Sequence, residues 1–579
     1  MGYEARPGER APGAEDFHYD VVIVGLGPTG ATAANLLGSR GIRTLVVERD
    51  AALHTRQRAI AIDEDALRVW QGVGLLEPVM ADMSTSVTIH LHNRNRIFLS
   101  CDLDGSGRQG LPGMGFFHQP LMERTLRDGL RRYAGLVELR VGQELVSLDQ
   151  DEAGVTMGLR RTGEPPAATR FVRARYLIGC DGGASSTRKL LGIPLSGRSI
   201  DEPWLDIQAR ARFPHDASGR LDFNFIADPE RPGADCYASN GYHRWEFRLR
   251  RDEDPDAANT PEGLRRLLAI RGIDADEIDI LASWIYVFHA RQADRWKQGR
   301  AFLCGDAAHM MPPFIGQGIS SGVRDAGNLC WKLAAVVQGS APPSLLDSYE
   351  SERRPNVMAL TRLSLRVGAL VMVQNRLLAT GRDLACRVAV RLPWLGGYIG
   401  RFGMKPDWVS GPGMLAVARS FHSPAGRLVW QPWVIPAAGY RRRLDDVLGT
   451  GWTYLSWRRP NMPAHLAELG VRELVVHERR RSWHGLRENE IVDIDDRLRL
   501  QFKRHRARGM LVRPDRFIYG SDRDDLALHG FTSLSMTGAS ERRPCWRTPA
   551  GPGCPASASR SWGSSRSPGQ AAGRSRDPA

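Results

Sequence analysis

The sequence predicts an α/β fold in which a parallel-sheet domain is interrupted by an antiparallel-sheet domain and followed by a third, mixed domain. Three observations predict it. Residues 19–50, YDVVIVGLGPTGATAANLLGSRGIRTLVVERD, read as strand, glycine turn, helix and strand. Residues 204–250 (WLDIQARARF, RLDFNFIADP, DCYASN, HRWEFRLR) alternate apolar and polar residues between turns, the pattern of an antiparallel sheet with one covered face. The strand Ala301–Cys304 then returns to the apolar style of the first strand and runs into a further glycine-rich loop and helix. The first domain is therefore split, and its chain comes back after the second.

Taken in order, residues 1–17 are polar and read as a disordered leader. Val21–Val24 is a β-branched run suited to a buried parallel strand. Gly25, Gly27 and Gly30 form G-x-G-x-x-G, with Pro28 and Thr29 inside it. Gly25 allows the tight turn, Gly27 lets the backbone approach a pyrophosphate, and Gly30 lets the helix pack on the strand. The second strand, Arg43–Val47, ends at Glu48, with Arg49 next. Glu48 lies 18 residues after Gly30, where a carboxylate can accept from a ribose 2′-hydroxyl. This Rossmann-like unit says "dinucleotide" without saying which one.

Asp63 can cap a following helix that carries Leu67 and Trp70, Val87–Leu99 reads as a strand pair, and residues 115–133 give a strand end and an amphipathic helix. Val137–Leu148 and Phe171–Ile178 are strand-like, and the latter leads into CDGGASSTR. The expected segments are 18–190 and 296–375 for the split domain, 191–295 for the antiparallel domain, 376–427 for a helical connector and 428–530 for the third domain. From Gly538 the chain is rich in Ser, Pro, Gly, Ala and Arg, and 538–579 is expected to be a disordered tail, native or the product of a reading-frame shift.

The charge of +14 raises the question of nucleic acid. Residues 541–579 hold seven Arg against Glu541 and Asp577, and no basic helix is interleaved with aromatics, so no nucleic-acid partner is expected. The closest two of the eight Cys are nine apart, which excludes a CxxC redox pair or zinc ribbon, and no metal is expected. No 18-residue apolar run and no signal core occur, so the reading is cytoplasmic, with no membrane partner.

Three motifs in order carry a resemblance: GLGPTG (25–30), CDGGASSTR (180–188) and GDAAHMMPPFIGQG (305–318) with LLDSYESERRP (345–355). The chain resembles the class A flavoprotein aromatic monooxygenases, the para-hydroxybenzoate hydroxylase-like enzymes. HQPLMERTLR (118–127), HRWEFRL (243–249) and FHARQADRWKQGRAFLCGDAAH (288–309) look like its 3-(3-hydroxyphenyl)propionate hydroxylase branch.

The resemblance implies FAD, held by Gly25, Gly27, Pro28, Thr29, Gly30, Glu48 and Arg49. Arg58 and Gln119 fall near the phosphates and flavin side, Asp181 and Gly182 in a motif shared between FAD and NAD(P)H, and Gly305 and Asp306 at the ribityl chain. Each has a plainer alternative: Arg58 as a solvated charge, Gln119 as a helix cap, Asp181 and Asp306 as turn residues, and His309 as a packed structural histidine. It implies NADH or NADPH as co-substrate, and reaction of reduced flavin with O2 to a C4a-hydroperoxide that hydroxylates a small aromatic substrate. Pro313, Gly316 and Gly318 would form the flavin-facing loop, whose helix presents free N–H groups to the reduced ring. Many relatives carry Met-Asn where Ile319 and Ser320 stand. Phe223, Phe225, Tyr237, Trp245 and Phe288 are the candidate pocket wall, core packing being their alternative, and His243 and Arg244 are candidates to meet an anionic group. The third domain resembles a thioredoxin-like C-terminal domain without Cys, suited to a structural role or a homodimer. The rival readings are another flavin oxidase or reductase of the same fold, and a non-catalytic FAD-binding scaffold.

Overall fold

A computed structural model describes residues 18–532, apart from 56, 94–95, 104–106, 108, 212–220, 238–240, 401–402 and 480. The expected leader (1–17) and tail (538–579) lie outside the described residues.

The β-branched run at the start forms the strand Tyr19–Val24, with Val21, Val22 and Ile23 fully buried. It lies in the middle of a parallel array, between Arg170–Gly179 and Thr44–Glu48. Val137–Val141 extends the array on one side and Ala301–Leu303 on the other, both in parallel register. Ala301–Leu303 thus joins a sheet that the chain left at Gly179. Between the two, the chain contributes Leu195–Ala211, Leu221–Ile226, Gly233–Tyr237, Tyr242–Arg248 and Ile278–Ala293 to a second, mainly antiparallel sheet. The expected strand pair near residue 90 belongs to this second sheet: Val87–His92 runs parallel to Leu221–Ile226 and pairs with Ile97–Asp102.

The helix Pro28–Gly38 starts with proline in its first turn, where the missing N–H costs no helical bond. It packs on the helix Gly318–Val337, and a methyl group on Gly322 would meet Thr29 Oγ1 at 2.3 Å, so the crossing needs glycine there. Asp63 caps the helix Glu64–Gln71 by accepting from the Ala66 N–H at 3.1 Å.

The C-terminal sheet has strand order 442–443, 433–436, 490–493, 472–478, 453–457, 509–512 and 518–521, with parallel and antiparallel pairs. Two buried charge groups fasten it to the first domain. Arg68 reaches Asp445 with two hydrogen bonds of 2.6 and 2.7 Å. Arg513 meets Glu352 at 2.7 and 3.1 Å, and Glu352 also accepts from Lys332 and Asn328. Trp331 of the helix Gly318–Val337 packs edge-on against Trp452 at 5.8 Å, inside one apolar cluster shared by the two domains. Among the described residues no single helix is long and apolar enough to cross a membrane.

Candidate functional site

The three sequence motifs converge. Gly25 has φ +101°, and a Cβ on it would lie 2.4 Å from the Cys180 carbonyl oxygen and 2.9 Å from Asp181 N. A Cβ on Gly30 would meet the Gly25 carbonyl oxygen at 1.9 Å, and one on Gly305 would meet Thr29 Oγ1 at 2.7 Å. These glycines are required by the protein's own packing. Gly27 differs: its backbone is extended (φ −70°, ψ −174°) and a Cβ would meet nothing within 4 Å. The requirement for a small residue at Gly27 therefore comes from what approaches the turn, not from the chain.

Around that open side the groups suit an adenosine diphosphate half. Pro28 and Thr29 begin the helix whose N-terminal N–H groups carry the positive end of its dipole. Glu48 is held in place, accepting from the Leu26 N–H (2.7 Å) and the Asp50 N–H (2.9 Å). Arg49 points into solvent, 3.7 Å from Asp50. Asp181 accepts from Ser185 Oγ (2.5 Å) and from the Thr187 N–H (2.8 Å), so it organises the turn that contains Gly182, φ +74°. Asp306 is accessible, yet the surrounding protein disfavours its charge and raises its pKa, with His309 and Arg58 opposing.

A second group forms around the loop at 312–318. Pro313–Ile315 makes a short turn, Gly316 takes a left-handed conformation (φ 61°), and the helix Gly318–Val337 begins. A Cβ on Gly316 would come within 3.3 Å of Ala61, whereas one on Gly318 would meet nothing within 4 Å. The helix N-terminus is thus open at Gly318. Ile319 is half-buried against the core of the first domain. Gln119, buried, accepts the N–H groups of both Arg58 and Ala59 at 2.8 Å and donates to Glu123 at 2.7 Å. Its contacts fix the Arg58–Ala61 strip facing the loop. Ser364 Oγ donates to the Pro312 carbonyl at 2.6 Å, pinning the loop from behind.

The aromatic candidates divide between the two faces of the antiparallel sheet. Phe288, Trp204 and Phe314 form one cluster, with ring centroids 5.0 to 6.2 Å apart, and Tyr286 and Phe225 pack against it. Phe314 belongs to the 312–318 loop, so this cluster adjoins the open helix end. Phe223 meets Phe225 at 4.6 Å and Phe116 at 5.8 Å. Trp245 lies elsewhere. It packs with Leu205, Ile207 and Leu267 on the opposite face from Trp204, because successive residues of a strand point to opposite sides. Tyr237 meets His243 edge-on at 4.0 Å, and His243 stacks on Trp245 at 3.9 Å. Trp245, a candidate for the pocket wall with core packing as its alternative, is part of this apolar cluster. Neither charged candidate is available for an anion: Arg244 lies between Asp206 (2.8 Å) and Glu246 (2.6 Å), and His243 pairs with Asp235.

A family model described as an FAD binding domain matches residues 18–364. The chain belongs to this family. A second model, the HcaD C-terminal domain, matches residues 426–534 of this FAD-binding protein. It is 36% identical over 520 residues to a Mycobacterium sp. (strain JLS) protein named 3-(3-hydroxy-phenyl)propionate/3-hydroxycinnamic acid hydroxylase, covering 88% of this chain and 90% of that one. A Burkholderia cenocepacia (strain HI2424) protein of the same name is 36% identical over 543 residues, covering 90% and 97%. Among solved structures, aklavinone-11 hydroxylase with FAD and aklavinone superposes with a TM-score of 0.72 at 23% identity, covering 88% of this chain and 96% of that one. The OxyS anhydrotetracycline hydroxylase from Streptomyces rimosus gives 0.67 at 26%, covering 87% and 95%.

The sequence reading missed the groups that hold the FAD-binding motifs together. Arg188 donates to the carbonyls of Gly183 (3.0 Å) and Ala307 (3.2 Å), tying the second motif to the third. Asp325 accepts from the Gly305 N–H (3.1 Å) and from Arg353 (2.9 Å), and lies 2.6 Å from His309 Nε2. His309 is buried in this network, which makes it a structural residue. Both Arg188 and Asp325 stand inside or just beyond quoted motifs, but their partners were not visible in the spacing.

Proposed function

We propose that this chain is an FAD- and NAD(P)H-dependent hydroxylase of phenolic compounds, and that its substrates are of the hydroxyphenylpropanoate class with O2 as oxidant. The observation that carries the reading is the pair of open glycines Gly27 and Gly318, each at the start of a helix and each where a Cβ would meet nothing within 4 Å. The proteins named 3-(3-hydroxy-phenyl)propionate/3-hydroxycinnamic acid hydroxylase support the substrate class. Bound FAD would supply the electron-transfer and oxygen chemistry, with NADH or NADPH as the source of electrons.

The chain's residues would do the rest. Gly27, Pro28 and Thr29 bring the first helix to the pyrophosphate, and Glu48 accepts from the adenosine ribose. Asp306 receives the ribityl hydroxyls, and Arg58 offers its charge nearby. The N–H groups at Gly318 and Ile319 would offer donors to the flavin where its charge becomes negative, and preorganised dipoles in a dry site act strongly. Gly316 holds the loop in a conformation that a side chain would strain. Phe225, Tyr286, Phe288 and Phe314 wall off the reacting ring from water. Asp181 and Gly182 shape the turn beside the cofactor, and the C-terminal domain is read as a thioredoxin-like support.

The test is direct. Purified protein should carry flavin visible by absorbance, and 3-(3-hydroxyphenyl)propionate should speed NAD(P)H oxidation with little peroxide released. Absence of flavin, or oxidation indifferent to every phenol offered, overturns the proposal.

A further inference from the structure

The helix Arg376–Arg391 is amphipathic in an unusual sense: both of its faces are apolar, and only one is covered. Its inner stripe, Ala379, Cys386 and Val390, packs on the edge of the antiparallel sheet with Ile399 and the strand Ile97–Asp102. Its outer stripe, Leu377, Leu384 and Val388, recurs at helical spacing and faces water, with Leu377 84% exposed. The following helix, Pro393–Gly400, adds Trp394 at 74% exposure and Tyr398 at 51%. Monomeric soluble proteins seldom leave such a contiguous apolar patch uncovered.

The charges beside the patch select its occupant. Arg376, Arg387 and Arg391 lie along one flank of the outer stripe; Arg376 is paired with Glu230, which leaves Arg387 and Arg391 as the flank's unneutralised charges. The one acidic residue of the segment, Asp383, is buried and bonded to Arg382 and Asn93. A second copy of this chain docked face to face would bring two arginine-flanked patches together with no exposed acidic residue of the segment to offset them. Leucines and a tryptophan beside arginines instead match an interface of acyl chains and anionic headgroups. The preceding helical segment, Pro343–Val371, is bent away from Arg376–Arg391 by 115°. Among the described residues no single helix is long and apolar enough to span a membrane, so contact with one through this face would be along its surface.

We propose that the outer face of residues 376–398 attaches the protein peripherally to an anionic membrane surface, with Leu377, Leu384, Val388 and Trp394 entering the headgroup region. The test uses the full-length, FAD-loaded protein and sedimentation with vesicles. Vesicles of equal phosphatidylcholine and phosphatidylglycerol should carry the protein down at low salt. Phosphatidylcholine alone should carry several-fold less, and 0.5 M NaCl should release most of it. The double variant Leu377→Glu/Leu384→Glu should stay in the supernatant while keeping its flavin and its rate of NAD(P)H oxidation. The Trp394→Glu variant, on the neighbouring helix, should weaken sedimentation independently if the first variant folds poorly. Wild-type protein that ignores phosphatidylglycerol overturns the proposal, as do variants that sediment as the wild type does. A wild-type dimer that these substitutions convert to monomer also overturns it, because a second copy then covers the face.

Discussion

Two glycines three residues apart, Gly27 and Gly30, carry opposite demands. A Cβ on Gly30 collides with backbone, and a Cβ on Gly27 meets nothing. Gly30→Ala should therefore destabilise the protein by about 3 kcal/mol whether or not flavin is present, since a backbone oxygen cannot move aside cheaply. Gly27→Val should leave the flavin-free melting temperature nearly unchanged and weaken FAD binding at least tenfold. Calorimetry with and without FAD separates the two. A second residue-scale expectation concerns Glu64. Burial, and then the neighbouring Asp65, push its carboxyl up to about 7 from an ordinary 4.5. The folded protein therefore holds a proton there that the unfolded chain has lost. Stability should fall as pH rises from about 4.5 through 7, by on the order of 1–3 kcal/mol. Glu64→Gln keeps an oxygen for the Gln109 N–H, which Glu64 accepts at 2.7 Å, and should flatten that slope in urea titrations across pH. If the variant retains the wild-type slope, Glu64 is not its source.

At the scale of elements, the helix Gly318–Val337 joins the site to the C-terminal sheet. Its first turn opens toward the flavin loop, and its later turns supply Asn328 and Lys332 to the Glu352–Arg513 group. Replacing Arg513 by Met leaves Glu352 and Asp515 without their shared partner in a buried setting, which should cost about 3–5 kcal/mol. Unfolding followed by tryptophan fluorescence should then split into two transitions; a single transition at the wild-type midpoint would show that the pair contributes little. The elements also show what the sequence could convey. The Gly25–Glu48 unit was legible because tight turns and close approaches restrict residue type locally. Alternation in 204–250 announced strands, but period two does not say which neighbours each face meets, and Trp245 packs with Leu205 and Ile207 on the face away from Trp204. Val87–Leu99 read correctly as a strand pair, yet its partner strand lies more than a hundred residues later. Arg68 and Asp445, 377 positions apart, gave no signal, because a charge in a sequence does not name its counter-ion.

For the molecule as a whole, the Rossmann-like domain takes its parallel strand Ala301–Leu303 only after the antiparallel sheet has been made. This is also a statement about biosynthesis. A nascent chain that has just emitted Gly179 has residues 170–174 paired with Val155–Leu159 on one side, but the apolar edge at Leu177–Gly179 still lacks its neighbour, the kind of surface that invites wrong pairing. Its cofactor site is then complete at the adenosine end and absent at the ring end. A fragment ending at residue 190 should therefore gain no thermal protection from FAD, whereas one ending at 532 should gain several degrees; equal protection of both would contradict this order. Whatever escorts the chain during synthesis must cover the short edge at Leu177–Gly179 until Ala301–Leu303 arrives, and flavin itself can act as a folding ligand only for a chain already extended past Gly318.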